Sequence, residues 1–280
     1  MVSVTQRREE LHLDHYRIVQ GSRVDLSAID PREKTAFSSL NKSSSHSVLT
    51  RMNRELAELQ RLLWADGTKA LLLVLQAMDT GGKDGTIRKV FSGVNPQGVD
   101  VHGFGVPGPH ERAHDYLWRV HARAPGRGRI AVFNRSHYED VLVVRVNELV
   151  PTDVWSRRYE HIRGFETMLA DEGTAIVKIM LHISKDEQKE RLQERLDDPT
   201  KNYKFEPNDL LSRAKWDEYM AAYEDAISET STDNAPWYVV PSDRKWYRNL
   251  VIAQILIDAI KGMDLSYPVA AFDPKSVVID

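Results

Sequence analysis

Cysteine is absent from this 280-residue chain. Disulfides, thiolate metal sites and a cysteine nucleophile are therefore excluded. Long apolar runs are missing too: the most apolar helix candidate, residues 250–260, carries Gln254 and Asp258 and does not approach bilayer length. The opening Met-Val-Ser-Val-Thr-Gln-Arg-Arg lacks the apolar core of a signal peptide. The expectation is a soluble, cytoplasmic protein with no membrane partner. Neither charge dominates, since 38 basic side chains face 41 acidic ones for a net charge of −3. The chain as a whole is not a general polyanion binder, and any basic site has to be local. Histidines such as His137 and His182 show no metal-ligand spacing, which favours core or surface roles for them. There is no internal repeat and no linker dividing the chain in two.

What the chain does have is Leu71-Leu72-Leu73-Val74-Leu75-Gln76-Ala77-Met78-Asp79-Thr80-Gly81-Gly82-Lys83-Asp84-Gly85-Thr86-Ile87-Arg88. An apolar run of strand length feeds a glycine-rich turn with one lysine, and a polar segment that can start a helix follows. Gly81, Gly82 and Gly85 allow the backbone to approach an anion with its N–H groups converging. A helix start adds unpaired N–H groups and the positive end of a dipole. Against the P-loop pattern G-x-x-x-x-G-K-[ST], Gly82-Lys83 fits, while Ala77 stands for the first glycine and Asp84 for the metal-binding hydroxyl. Thr86 can offer a hydroxyl instead, and Asp79 a carboxylate to Mg²⁺. The phosphate-binding candidates are thus Thr80, Gly81, Gly82, Asp84, Gly85, Thr86 and Arg88 around Lys83. The same residues also suit an ordinary strand-turn-helix with Lys83 merely solvated.

Strand-like runs recur at residues 99–104, 129–133, 175–183 and 238–240, separated by helix patterns at 86–91, 110–122, 152–171, 185–196, from 207 through Trp216, Tyr219 and Tyr223, and 246–260. Leu49, Met52, Leu56, Leu59 and Leu63 draw an earlier apolar helix stripe, which packs on the sheet more readily than it forms an oligomer seam. Alternation of strands and helices predicts an α/β fold, a five-stranded parallel sheet covered on both faces. Residues 1–48 read as an N-terminal arm ending in a weakly ordered serine-rich segment. Residues 49–265 read as the domain, with a lid at about 185–215, and 266–280 as a C-terminal tail.

Ligands in such sheets sit beyond the carboxyl ends of the strands. Arg129-Ile130-Ala131-Val132-Phe133-Asn134-Arg135-Ser136-His137-Tyr138 brings Asn134 and Arg135 to that edge, where Arg135 can grip a phosphate bidentately. Asn134 stands where P-loop enzymes usually place a metal-binding aspartate. Arg112, Arg119, Arg123, Arg127, Arg129 and Arg135 make the one basic stretch, either a groove for a repeated-phosphate ligand or a solvated helix face. Aromatics are not interleaved with them as base stacking would need, so nucleic acid is not the expected partner. Arg191 and Arg195 share a helix face and can fold over phosphates, although Glu187 with Arg191 equally makes an ordinary surface pair. Lys83, Arg135, Arg191 and Arg195, with Mg²⁺ on Asp79, supply what phosphoryl transfer needs, namely positioning and stabilisation of spread negative charge.

The first motif from Gln76 to Ile87, Gly93-Val94-Asn95-Pro96-Gln97-Gly98, Phe133-Asn134-Arg135-Ser136-His137-Tyr138 and the run from Ser184-Lys185 to Arg195 resemble the second family of polyphosphate kinases, the polyphosphate:nucleotide phosphotransferases. The likeness runs from about residue 30 to 265. It implies a thymidylate-kinase-like P-loop fold, three-layer α/β/α with a helical lid, and a metal-dependent transfer, on Mg²⁺ or Mn²⁺, between inorganic polyphosphate and AMP, ADP or other nucleotides. Carried over by position, Lys83 is similar to the Walker lysine, Asp79 to the essential acid, Arg135 to the arginine after the second strand, and Arg191 and Arg195 to the lid arginines. The sequence departs from the family at Thr80-Gly81, where two alanines are common, and at Asn134, where many members have aspartate. The pairing of motifs resembles the subgroup credited with both AMP and ADP. A homo-oligomer, dimer or tetramer, completes the expectation. The alternatives are an ATP-dependent nucleotide or nucleoside kinase and a non-catalytic phosphate-sensing module.

Overall fold

In the computed structural model, which describes residues 13–279, the first apolar run is a strand, β1 (Ala70–Gln76), with every residue buried. Beside it lie β3 (Ile130–Asn134) and then β2 (Val99–Gly103) on one side, β4 (Thr174–His182) and then β5 (Trp237–Pro241) on the other. The order is β2-β3-β1-β4-β5 and every pair is parallel. A central parallel strand is covered on both faces, which is why β1 is continuously apolar rather than alternating. Leu72 and Val74 join Phe133, Ile176 and Trp237 in one core, and Leu71, Leu73 and Leu75 join Val132, Ile179 and Val240 in the other.

Helix α1 (Lys42–Asp66) precedes β1 and α2 (Lys83–Val90) follows it. Between β2 and β3 lie α3 (Pro109–Arg112) and α4 (Trp118–His121); between β3 and β4 come α5 (Val143–Val146), α6 (Thr152–Trp155) and α7 (Arg158–Asp171). Next are α8 (Lys185–Asp197), α9 (Pro207–Ala214) and α10 (Trp216–Thr230), and after β5 comes α11 (Lys245–Lys261). Residues from α1, α2 and α11 fill one core, and residues from α7 and α10 the other, so the domain is a three-layer α/β/α sandwich of the P-loop kind. Met52, Leu56 and Leu63 of the α1 stripe face inward, each full burial stabilising by roughly 1.5–3 kcal/mol. No helix among the described residues is long and apolar enough to cross a membrane.

Four boundaries differ from the sequence reading. Helix α1 begins at Lys42, inside the serine-rich segment, because Asn41 Oδ1 accepts from Ser43 N (2.9 Å) and Ser44 N (3.0 Å) while Ser44 Oγ accepts from Asn41 N. Those residues are a reciprocal cap rather than a loop. The helix expected over 110–122 is split into α3 and α4 where the Asp115 side chain takes Leu117 N (2.9 Å). The pattern over 152–171 divides into α6 and α7, and the one from 207 into α9 and α10. The arm lies along β5: Ile18 N donates to Trp237 O (2.8 Å), Ser231 Oγ to Ile18 O (2.7 Å), and Asp243 N to Pro31 O (3.2 Å). Residues 1–12 of the arm, with the N-terminal start, and Asp280 lie outside the described residues.

Candidate active site

The turn after β1 is built by its glycines. A Cβ on Gly81 would stand 2.4 Å from Ala77 Cβ and 2.9 Å from Met78 O, and Gly82 has φ +100° as the residue that opens α2. No other residue fits either position without strain. The first intrahelical bond of α2 runs from Thr86 N to Gly82 O (2.9 Å), leaving the N–H groups of its first turn without helical partners. Lys83 Nζ folds back onto Ala77 O (3.0 Å). On the adjoining strand, Arg135 N donates to Leu75 O (3.1 Å), and Arg135 takes φ +61° to send its guanidinium to Asp79 Oδ1 (2.7 Å). Asn134 Nδ2 donates to Asp84 Oδ1 (2.7 Å), tying β3 to the start of α2. From the third side, Gln188 Nε2 of α8 donates to Asp79 O (3.2 Å).

These elements enclose a cleft of about 1010 Å³. Asp79, Thr80, Gly81, Gly82, Lys83, Asp84, Gly85, Arg88, Asn134, Arg135, Arg191 and Arg195 all line it. One reading is corrected and two that the sequence left open are narrowed. Thr86 does not reach the cleft: it is buried, with Oγ1 donating to Gly82 O (3.0 Å) in the manner of a hydroxyl inside a first helical turn. Arg191 is not an extended lid arginine. Its Nε meets Glu187 Oε1 (2.8 Å), Nη1 meets Thr80 O (3.1 Å) and Gly81 O (3.3 Å), and Nη2 meets Ser242 O (2.7 Å) and Asp243 O (3.2 Å). With its donors directed at carbonyls and Glu187, it pins the root of α8 to the glycine turn. Of the basic stretch, left open between a groove and a solvated helix face, Arg129 pairs with Asp100 (2.7 Å), Arg119 with Glu111 (3.5 Å) and Arg127 with Glu172 (3.5 Å). Only Arg135 of that stretch lines the cleft.

Arg195 donates to Asp209 Oδ2 (3.0 Å) and Lys204 O (2.8 Å), and so braces the segment between α8 and α9. Among the described residues no three His, Asp or Glu side chains converge as a metal cage. The donor set instead suits an ion held by one carboxylate, water and substrate phosphates, the usual habit of Mg²⁺.

The sequence model described as Polyphosphate kinase 2 (PPK2) matches residues 39–268, from α1 through α11. The chain belongs to the polyphosphate kinase 2 family. Over 265 residues it is 54% identical to an AMP/ADP-polyphosphate phosphotransferase of Meiothermus ruber, covering 95% of this chain and 99% of that one. An ADP-polyphosphate phosphotransferase of Rhodopseudomonas palustris is 44% identical over 90% of this chain and 91% of its own length. The crystal structure of Polyphosphate Kinase 2 from Arthrobacter aurescens superimposes with a TM-score of 0.90 at 44% identity, covering 94% of this chain and 93% of that one.

Several cleft residues of this polyphosphate kinase 2 chain went unnoticed in the sequence: Lys201 and Lys204 before α9, and Lys245 and Arg248 on α11. Nothing local marks them. The signal available was topological, because the segment after β5 must emerge at the same sheet edge as the glycine turn. Glu139 was also missed. It sits behind Arg135, and its Oε1 accepts from the Gln76 amide (3.0 Å) in that amide's hydrogen-bonding orientation. Burial raises its carboxyl pKa, and the charges of Arg135 and Lys83 offset this only in part. A carboxyl raised in the folded state costs stability while ionised and is relieved as pH falls through its folded-state value. Glu139→Gln is therefore expected to raise the melting temperature at about pH 8, with the gain shrinking towards about pH 5. Thermal melts of both proteins across that range check it. A constant difference at every pH contradicts it.

Proposed function

We propose that the chain moves the terminal phosphoryl group of inorganic polyphosphate to AMP and to ADP, yielding ADP and ATP. The observation that carries the reading is the meeting of Lys83, Asp79 and Arg135 on one cleft, with Arg135 and Asp79 in contact at 2.7 Å. The name of the Meiothermus ruber relative supports both acceptors. An acceptor phosphate has its second pKa at about 6 and is largely ionised at neutral pH. No general base is needed to activate it, so the work is alignment and charge stabilisation. One oxygen of the acceptor forms a bond to the terminal phosphorus of the chain as the bridging P–O bond breaks, and polyphosphate one unit shorter departs. In this reading the glycine-turn amides and Lys83 take the transferring group, Arg135 pairs with its oxygens, and Asp79 orients the acceptor. Mg²⁺, or Mn²⁺, would be held by Asp79 and would neutralise the phosphate charge when bound. Arg88, Asn134, Asp84 and Arg195 set the walls. The active protein is read as a homo-oligomer, which light scattering tests.

Incubation with ADP, Mg²⁺ and polyphosphate as sole phosphate donor is expected to form ATP, and with AMP in place of ADP to form ADP. No nucleotide product with either acceptor overturns the reading. Phosphorylation of AMP or a nucleoside by ATP alone, without polyphosphate, would favour the ATP-dependent kinase.

A further inference from the structure

The glycine turn carries a second buried guanidinium besides that of Arg191. Arg248, in the first turn of α11, is 2% exposed yet lines the cleft. Its Nη1 donates to Gly81 O (3.3 Å), while Nε and Nη2 both reach Asn249 Oδ1 (3.2 and 2.9 Å). The contact with the turn is close: a Cβ on Gly82 would lie 2.0 Å from Nη1, and one on Gly85 would lie 3.7 Å from Nη2. Hence Arg248 stands against the start of α2, where the first-turn N–H groups lack helical partners.

The contrast with Arg191 is informative. Both arginines bond to Gly81 O, but Arg191 has Glu187 at 2.8 Å, whereas no carboxylate among the described residues lies within ion-pair distance of Arg248. Neutral oxygens take three of its five N–H donors without cancelling its charge, and one donor on each Nη is left over. A buried cation left uncompensated is costly and is kept where a charged partner completes the site. Burial and the neighbouring Arg191 charge press the same way, pushing the Arg248 pKa down to about 9.

We infer that Arg248 is a phosphate ligand of this cleft, closing the cradle of the Gly81–Gly85 turn from the α11 side and taking the polyphosphate donor. The inference rests on the functional reading above. It adds to Lys83 and Arg135 a third cation contributed by the element that follows the last strand. A planar guanidinium fixed by Asn249 presents its fork without the rotamer loss a mobile lysine suffers on binding.

The test uses the full-length protein, inorganic tripolyphosphate as the probe, and the variants Arg248→Gln and Arg248→Lys. Wild type is expected to gain melting temperature with tripolyphosphate. Arg248→Gln, which removes the charge but keeps an amide donor for Gly81 O, is expected to fold with a probe-free melting temperature no lower than wild type. It should bind tripolyphosphate at least about tenfold more weakly, the scale of a charge-assisted hydrogen bond, and raise KM for polyphosphate more than it lowers kcat. Arg248→Lys should recover part of the lost tripolyphosphate affinity. If Arg248→Gln fails to fold, or binds tripolyphosphate as wild type does, the guanidinium is structural and the inference falls. Lysine recovering no affinity has the same meaning. If wild type itself does not respond to tripolyphosphate, the functional reading fails instead.

Discussion

Lys83→Met is expected to lower ATP formation from ADP and polyphosphate by roughly a thousandfold, while the protein melts within a few degrees of the parent. The two halves of this result have different causes. Removing one preorganised donor to developing charge costs about 10²–10³ in rate, or about 3–4 kcal/mol of barrier, and Lys83 is the only lysine within the glycine turn. The side chain does little for the fold, since its ammonium makes one bond, to Ala77 O at 3.0 Å. Burial and the adjacent Arg135 charge even hold its pKa below the ordinary lysine value. Charge there is an expense to the folded state, which phosphate would offset in the proposed reading. Initial rates at saturating ADP, with thermal melts of both proteins, check the claim. A rate loss below tenfold, or a collapse of the fold, would sink it.

How much of this was legible in the sequence depends on the length scale of each interaction. β1 and its turn were readable because a continuously apolar strand leads straight into Gly81-Gly82-Lys83, and both halves of the signal lie within eighteen residues. The five parallel strands followed from alternation with helices, and Asn134 and Arg135 from ending the next buried run. What escaped was decided by partners distant in sequence. The Glu187 partner of Arg191 was readable from its i,i+4 spacing, but its other partners, the carbonyls of residues 80, 81, 242 and 243, were not. Arginines that looked like a groove had found Asp100, Glu111 and Glu172. Thr86 offered a hydroxyl two residues past the P-loop position, but the first helical turn aims it inward at Gly82 O. Residue type and spacing gave the chemistry available, while only the fold assigned each cation to a carboxylate, a carbonyl or the cleft.

Lys178 tests that lesson most severely. It lies in the middle of β4, fully buried, the one polar residue of an otherwise apolar interior between Thr174 and His182. Its three donors go to Glu166 Oε2 (2.5 Å), Tyr138 OH (3.0 Å) and Thr230 O (2.7 Å). Glu166, 1% exposed on α7, also accepts from Tyr138 OH (2.8 Å) and lies 3.3 Å from His137 Nε2. Breaking such a pair from one side leaves an uncompensated buried charge, so Lys178→Met is expected to destabilise the protein by about 3–5 kcal/mol. The double variant Lys178→Met with Glu166→Leu should recover most of that loss, because the pair repays little more than its own desolvation. Burial opposes the Glu166 charge, but Lys178 and His137 outweigh it and hold the carboxyl below its ordinary 4.5. The stability this gives is present above that value and is lost as pH falls through the folded-state pKa. Urea unfolding at several pH values should show a shallower acid limb in the double variant than in wild type. The consequence reaches the cleft, because Tyr138 and His137 directly follow the Asn134-Arg135-Ser136 turn. Arg135 holds φ +61° only while that turn is anchored. Lys178→Met should therefore also weaken phosphate transfer, whereas equal stability of single variant and wild type would remove the network from any role in holding Arg135.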